Sequence, residues 1–341
     1  MKKTIYIALI CSCIASTYMA YDVPAHFPLP IYERELAQAT SAKIDLGRAL
    51  FYDPILSADS TISCASCHSP YNSFAHTDHE VSHGIHDSIG TRNAPALFNL
   101  AWQPLLMWDG ASNHLDMQAL APITHPGEMA ESIKHLMVKL KRSTIYTALF
   151  KKAYGIDTIT SQKMLQALTQ FQLSLISDQA KYDKVKQGND TFTIQEQAGY
   201  SLFQAKCNAC HTEPLFSNYA FRNNGLSPDT ANYDLGRYRV TKQTQDSFLF
   251  KVPTLRNLSY TYPYMHDGRF RRLNQVLNHY TAIDNQNVHI SHELSSGVKL
   301  TSNQKADLIA FLLTLNDKSF ILNQDNKFPR SILLPTKENQ H

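Results

Sequence analysis

The sequence predicts a mainly α-helical protein of two related domains with long irregular loops, and three observations lead there. A block recurs: "GRALF" at 47–51 and "GYSLF" at 199–203 share G-x-x-L-F, and each precedes a C-x-x-C-H, "CASCH" at 64–68 and "CNACH" at 207–211. Apolar residues recur at helical spacing in several segments, and few segments alternate as strands do. Phe51 precedes Cys64 by 13 positions and Phe203 precedes Cys207 by 4, so the first copy carries an insertion of nine residues, "YDPILSADS".

A chain of 341 residues with 43% hydrophobic content can bury two cores. Lys and Arg total 32 against 29 Asp and Glu, a balance that argues against nucleic acid or an anionic membrane surface as the main partner. At the N-terminus "MKKTIYIALICSCIASTYMAYD" places two lysines before an apolar run and then small residues, the order of a secretory signal over residues 1–20. Export follows, with acylation of Cys13 as the alternative ending. No later segment reaches the roughly 18 to 20 apolar residues of a membrane span.

The expected division is then 21–190 and 191–341. In the first domain, residues 69–128 are rich in Pro, Asn, His and Gly with little periodicity, and long ordered loops of this kind usually carry function. Ile133, Leu136, Met137 and Leu140 mark one helical face; Leu165, Leu168, Gln172 and Leu175 mark another with one polar break. The polar, aperiodic stretch 177–191 reads as a linker. Thr193 with Glu196, and Thr301 with Gln304, have the spacing of capping boxes that open helices. The second leads into a face of Leu308, Ile309, Leu312 and Leu315.

Cys11 and Cys13 lie in the signal, which leaves Cys64, Cys67, Cys207 and Cys210, every one inside a C-x-x-C-H frame. In c-type haem attachment two thiols add across the porphyrin vinyl groups and the following histidine reaches the iron. His68 and His211 become proximal ligands of two covalent haems. A zinc reading needs a fourth ligand at each frame, or one four-thiolate site that leaves both histidines without a purpose. A redox dithiol belongs in a βαβ unit and gives no reason for the histidines.

Further blocks in order, "LGRALFYDPILS", "SCASCH", "GTRNAPALFNLAW", "MWDG", "QALAPITHPGEM", "CNACH", "FKVPTLRNLSYTYPYMHDGRF" and "LTSNQKADLIAFLLTL", resemble the bacterial di-haem cytochrome c peroxidases. That family includes the di-haem enzyme that matures tryptophan tryptophylquinone in methylamine utilisation. The resemblance implies two cytochrome c-like haem domains, an N-terminal peroxidatic one and a C-terminal electron-transfer one. It implies a periplasmic enzyme that reduces hydrogen peroxide to water with electrons from a small cytochrome c or cupredoxin, with a homodimer as one arrangement left open. It places Gln118, Pro122 and Glu128 over the open face of the first haem. There a carboxylate can take the proton from the inner peroxide oxygen and return it to the outer one, an amide can orient peroxide, and proline keeps the pocket narrow. Taken alone, Glu128 would be an ordinary loop or helix-entry acid. Trp108 matches the tryptophan between the haems; its bland reading is a core aromatic, the only reading of Trp102. Asn93 and the carbonyls of Thr261 and Pro263 match an inter-domain calcium site, and oxygen donors suit that ion.

Two departures remain. The electron-accepting peroxidases place a methionine fourteen residues beyond the histidine of an H-D-G turn, as distal ligand of the second haem. From His266 that count reaches Tyr280, the ligand type of the methylamine-utilisation enzyme; Met265 is the competitor. The family's removable distal histidine of the first haem falls on Ile85, flanked by His83, the first choice, and His86. Two alternatives therefore accompany the peroxidase reading. One is an oxidase that turns the same ferryl chemistry on a protein or small molecule, as Tyr280 would permit. The other is a non-catalytic di-haem electron carrier.

Overall fold

The computed structural model describes residues 21, 23–155, 158–229, 232–283 and 290–334. The expected signal and Cys13 lie outside the described residues. Two helix pairs form the centre of the two cores. Ser41–Tyr52 crosses Ser161–Leu173, and Ile194–Lys206 crosses Ser302–Leu313. Both capping boxes predicted from spacing are formed. The Glu196 N–H donates to Thr193 Oγ1 at 3.2 Å, and the Gln304 N–H to Thr301 Oγ1 at 3.3 Å. The one regular pairing of strands among the described residues is antiparallel, Phe221–Arg222 with Phe250–Lys251. No helix among them is long and apolar enough to cross a membrane.

The repeated G-x-x-L-F motif has a packing cause. A Cβ on Gly47 would lie 1.9 Å from the Ala167 carbonyl oxygen, and one on Gly199 would lie 1.9 Å from that of Asp307. Only glycine permits backbone contact at these crossings. The phenylalanines then meet an aromatic on the opposing helix: Phe51 with Phe171 at 5.2 Å, Phe203 with Phe311 at 5.1 Å between ring centroids. All four rings are buried. Gly199→Ala should cost about 1 to 3 kcal/mol, the usual penalty for overpacking, because the obstacle is backbone and cannot rotate away. Urea unfolding would measure it, and an unmoved midpoint would contradict the crossing geometry.

The 177–191 stretch is not the loose linker that its composition suggests. Lys181–Lys186 is helical, Tyr182 belongs to the second core, and Asp183 is fully buried. Its carboxylate takes a bidentate pair from Arg256, Nη1 to Oδ2 at 2.8 Å and Nη2 to Oδ1 at 2.7 Å. The C-terminal segment also departs from a simple division, because Phe320 joins the first core, against Phe74 and Phe98. Behind it the Tyr52 hydroxyl donates to the Asn326 carbonyl at 2.5 Å. The 69–128 region is a chain of short turns and short helices anchored by buried Phe74, Phe98 and Trp102. The Trp102 indole donates to the Pro28 carbonyl at 2.7 Å, as suits a core aromatic.

Candidate functional site

Each C-x-x-C-H frame curls through one helical turn. The His68 N–H reaches the Cys64 carbonyl and the His211 N–H that of Cys207, both at 2.9 Å. None of the four cysteines of these frames is paired in a disulfide. Burial pushes Cys64 and Cys207 up to about 12 and Cys67 to about 11, while Cys210 is also raised. Reactive dithiols have lowered, not raised, thiol pKa values. No group of three or more His, Cys, Asp or Glu among the described residues is placed to hold a metal ion.

The histidines of the two frames share one arrangement. Burial pushes both His68 and His211 down to about 4, which keeps each imidazole neutral near pH 7. The Nδ1 of His68 faces the Phe74 carbonyl at 2.8 Å, and that of His211 faces the carbonyls of Phe216 at 3.2 Å and Pro253 at 3.1 Å. A carbonyl can only accept, so Nδ1 carries the proton and the Nε2 lone pair is left for a metal.

Beside the second frame lies a cavity of about 520 Å³ whose wall includes Cys207, Cys210, His211, Tyr280, Met265 and Trp108. Tyr280, on the Leu273–Ala282 helix, and Met265 thus face one space with the proximal histidine. Burial pushes the Tyr280 phenol up to about 12, opposed by a hydrogen bond with Asn224. Met265 Sδ accepts from Asn224 Nδ2 at 3.3 Å.

Trp108 is held at its ring and at its backbone. Its indole donates to the Asn93 carbonyl at 2.9 Å, and its own carbonyl accepts from the Lys251 N–H at 2.8 Å. The next residue, Asp109, takes Arg92 Nη1 at 2.7 Å, while Arg92 Nε and Nη2 grip Asp234 at 2.5 and 2.9 Å. Asn93 is buried, and its Nδ2 donates to the Glu80 carbonyl at 3.2 Å. Thr261 and Pro263 share the cavity wall with Asn93.

At the first frame, Glu128 keeps 46% side-chain exposure. Burial of the remainder raises its carboxyl, with His125 opposing. Its charge adds to the burial that raises the Cys67 thiol, whose Sγ donates to the His83 carbonyl at 3.6 Å. The Pro122 carbonyl accepts from the Met129 N–H at 3.2 Å. Gln118 ends the Leu115–Gln118 helix with its amide donated to Met107 Sδ at 3.7 Å. The Ile85 N–H donates to the Glu128 carbonyl at 2.7 Å, and a Cβ on Gly84 would lie 2.1 Å from the Gly127 oxygen. The histidine-bearing loop is therefore pressed against the Glu128 turn. His83 stacks on His79 at 4.3 Å and pairs with Asp87 at 2.6 Å, while His86 is exposed.

Sequence reasoning passed over Lys251 and Asn224. Burial pushes the Lys251 ammonium down to about 7, against the attraction of Asp109, and its Nζ donates to Gln103 Oε1 at 2.7 Å and the Leu105 carbonyl at 2.9 Å. A lysine inside the apolar run "FLFKVP" is the signal that could have found it. Nothing in the pattern around Asn224 marks it.

Residues 41–191 match the family described as di-haem cytochrome c peroxidase, and residues 196–316 match cytochrome c. The chain is 35% identical to methylamine utilization protein MauG of Methylorubrum extorquens over 81% of this chain and 78% of the relative. It is 33% identical to cytochrome c551 peroxidase of Nitrosomonas europaea over 81% and 84% of the two chains. A crystal structure of a MauG-like protein associated with microbial copper homeostasis superposes with a TM-score of 0.81 at 29% identity, covering 91% of this chain and 99% of that one.

Proposed function

Because the chain belongs to the di-haem cytochrome c peroxidase family and so carries two c-type haems, we propose that it reduces hydrogen peroxide at its N-terminal haem with Glu128 as general acid–base. The haem irons, when bound, supply the site that takes peroxide and the store of oxidising equivalents. Cys64, Cys67 and His68 hold the first haem, and Cys207, Cys210 and His211 the second. The observation that carries this reading is the pair of frames, each with two part-buried cysteines outside any disulfide and a histidine whose Nδ1 faces a carbonyl.

Glu128 takes the proton from the inner oxygen of peroxide and delivers it to the outer oxygen as that leaves. The Ile85 N–H bond to the Glu128 carbonyl, on the loop whose His83 carbonyl accepts from Cys67 Sγ, supports the role. Gln118 orients the peroxide, and Pro122 narrows the approach. Trp108, which lines the second-haem cavity while bonding to the first domain through Asn93, relays electrons between the haems. Asn93 with the carbonyls of Thr261 and Pro263, which share one cavity wall, would hold calcium through oxygen donors. His83, with Nδ1 taken by Asp87, keeps Nε2 as a donor to the first iron; His86 is its alternate. The enzyme works in the periplasm, with a small cytochrome c or cupredoxin as donor. The division at residues 190 and 191 follows the two haems rather than the cores, since Tyr182 and Phe320 each pack across it.

Tyr280 favours a second reading, oxidation of a protein or small-molecule substrate. An anionic oxygen donor stabilises ferric iron and makes the second haem a poor reservoir of reducing electrons. Tyr280→Met should raise that haem's potential and move the enzyme toward reductive activation. Spectroelectrochemistry of parent and variant tests this. Identical second-haem spectra and potentials would remove Tyr280 as a ligand, and the oxidase reading with it.

A further inference from the structure

Trp108 follows a strained residue. Met107 has a φ of +70°, in the left-handed region that a non-glycine residue holds only where its surroundings impose it. Lys251 grips the chain on both sides of Met107. Its Nζ donates to Gln103 Oε1 at 2.7 Å and to the Leu105 carbonyl at 2.9 Å, and its N–H donates to the Trp108 carbonyl at 2.8 Å. The grip comes from far along the chain, on the strand Phe250–Lys251 that pairs with Phe221–Arg222. Two residues on, the Pro253 carbonyl faces His211 Nδ1 at 3.1 Å. The segment 251–253 therefore meets Trp108 at one end and the histidine of the second frame at the other, and Lys251, Trp108 and His211 line one cavity. A lysine is a costly residue for this place. It is only 9% exposed, and both acceptors of its Nζ are neutral oxygens, which compensate a buried ammonium less well than an anion does. What an apolar side chain of similar length lacks is a tip with several donors.

We propose that Lys251 is the positioning residue that aims Trp108 at the second haem site by holding the strained turn at Met107. The inference rests on the reading of Trp108 as the relay between the haems. Released from Lys251, Met107 returns to the negative φ that a side chain prefers. That rotation turns the backbone from which the indole springs and pulls the ring from its bond to the Asn93 carbonyl, 2.9 Å in the parent.

The test uses the haem-loaded protein, with two covalent haems confirmed by the mass of the denatured chains. A flash-generated flavin semiquinone hands one electron to the oxidised protein, and the visible spectrum follows its passage between the haems. Lys251→Met should slow that passage by roughly 10²-fold, the cost of misplacing a reacting group by about 1 Å. In a Trp108→Phe background the same substitution should add nothing, because residues that act through one another are not additive. A lysine that only stabilised the fold or set the haem potentials would slow both backgrounds alike. Gln103→Leu removes one Nζ acceptor and leaves Lys251 in place; it should slow the passage in the same direction, and it carries the test should Lys251→Met fail to load its haems. A crystal structure of the slowed variant should show Met107 away from its parent φ and the indole displaced. Parent-like rates in these variants, equal slowing with and without Trp108, or an unmoved Met107 and indole, alongside a slowed Trp108→Phe, would overturn the positioning role and leave the relay standing. A parent-like rate in Trp108→Phe would instead overturn the relay, and the positioning role with it.

Discussion

Glu128→Gln leaves both haems attached and slows the reaction with hydrogen peroxide by roughly 10² to 10⁴-fold, the usual worth of a positioned general acid–base. The substitution keeps size and hydrogen-bonding shape but cannot accept the peroxide proton. The surroundings support a focused effect. Glu128 lies on a turn held by the Met129 N–H to the Pro122 carbonyl and by the Ile85 N–H to its own carbonyl, bonds that glutamine retains. The pH profile separates a proton carrier from a structural side chain. Burial raises the Glu128 carboxyl, and the group must be ionised to act, so the parent rate falls as pH falls through a value above the ordinary glutamate pKa of about 4.3. That acid limb is absent in Glu128→Gln. Stopped-flow rates across pH measure both, and an unchanged rate with an unchanged acid limb would make the carboxylate structural.

Asp183→Ala destabilises the protein by about 3 to 5 kcal/mol, because it strands a buried guanidinium. Both side chains of the pair are fully buried. Arg256 would keep Nε and Nη2 on the Pro214 carbonyl, at 2.9 and 2.7 Å, and its place over the Phe27 ring at 4.8 Å. None of these is an anion. Asp183 also accepts from the Ala180 N–H at 2.9 Å and faces His26 Nε2 at 3.2 Å, so the truncation loosens the N-terminal segment as well. Urea unfolding monitored by far-ultraviolet circular dichroism checks this, and a loss under about 1 kcal/mol, the worth of an exposed pair, would contradict it.

That pair also shows where sequence reading stops. Helix starts were legible because a capping box is local: Thr193 and Glu196 are three residues apart. The two haem frames were legible because attachment chemistry dictates five consecutive positions. The repeated G-x-x-L-F was visible as a repeat, but its cause, a carbonyl 1.9 Å from an imagined Cβ, belongs to a partner helix more than a hundred residues away. Asp183 looked like linker polarity because its partner, Arg256, is 73 residues on. The return of Phe320 to the first core is equally non-local. Tyr280 and Glu128 stood out only through family resemblance, and the structure adds their surroundings: a shared cavity for one, a turn bonded to the histidine-bearing loop for the other.

The central claim is that this chain, with both haems attached, reacts with peroxide through its first haem. Rapid mixing of the holoprotein with one equivalent of hydrogen peroxide tests it most directly, with the visible haem spectrum and the remaining peroxide followed together. The account predicts a prompt change in the haem spectrum that consumes the equivalent of peroxide. A haem spectrum that does not move while the peroxide persists, in oxidised and half-reduced protein alike, would contradict it and leave a pair of haems that only carry electrons.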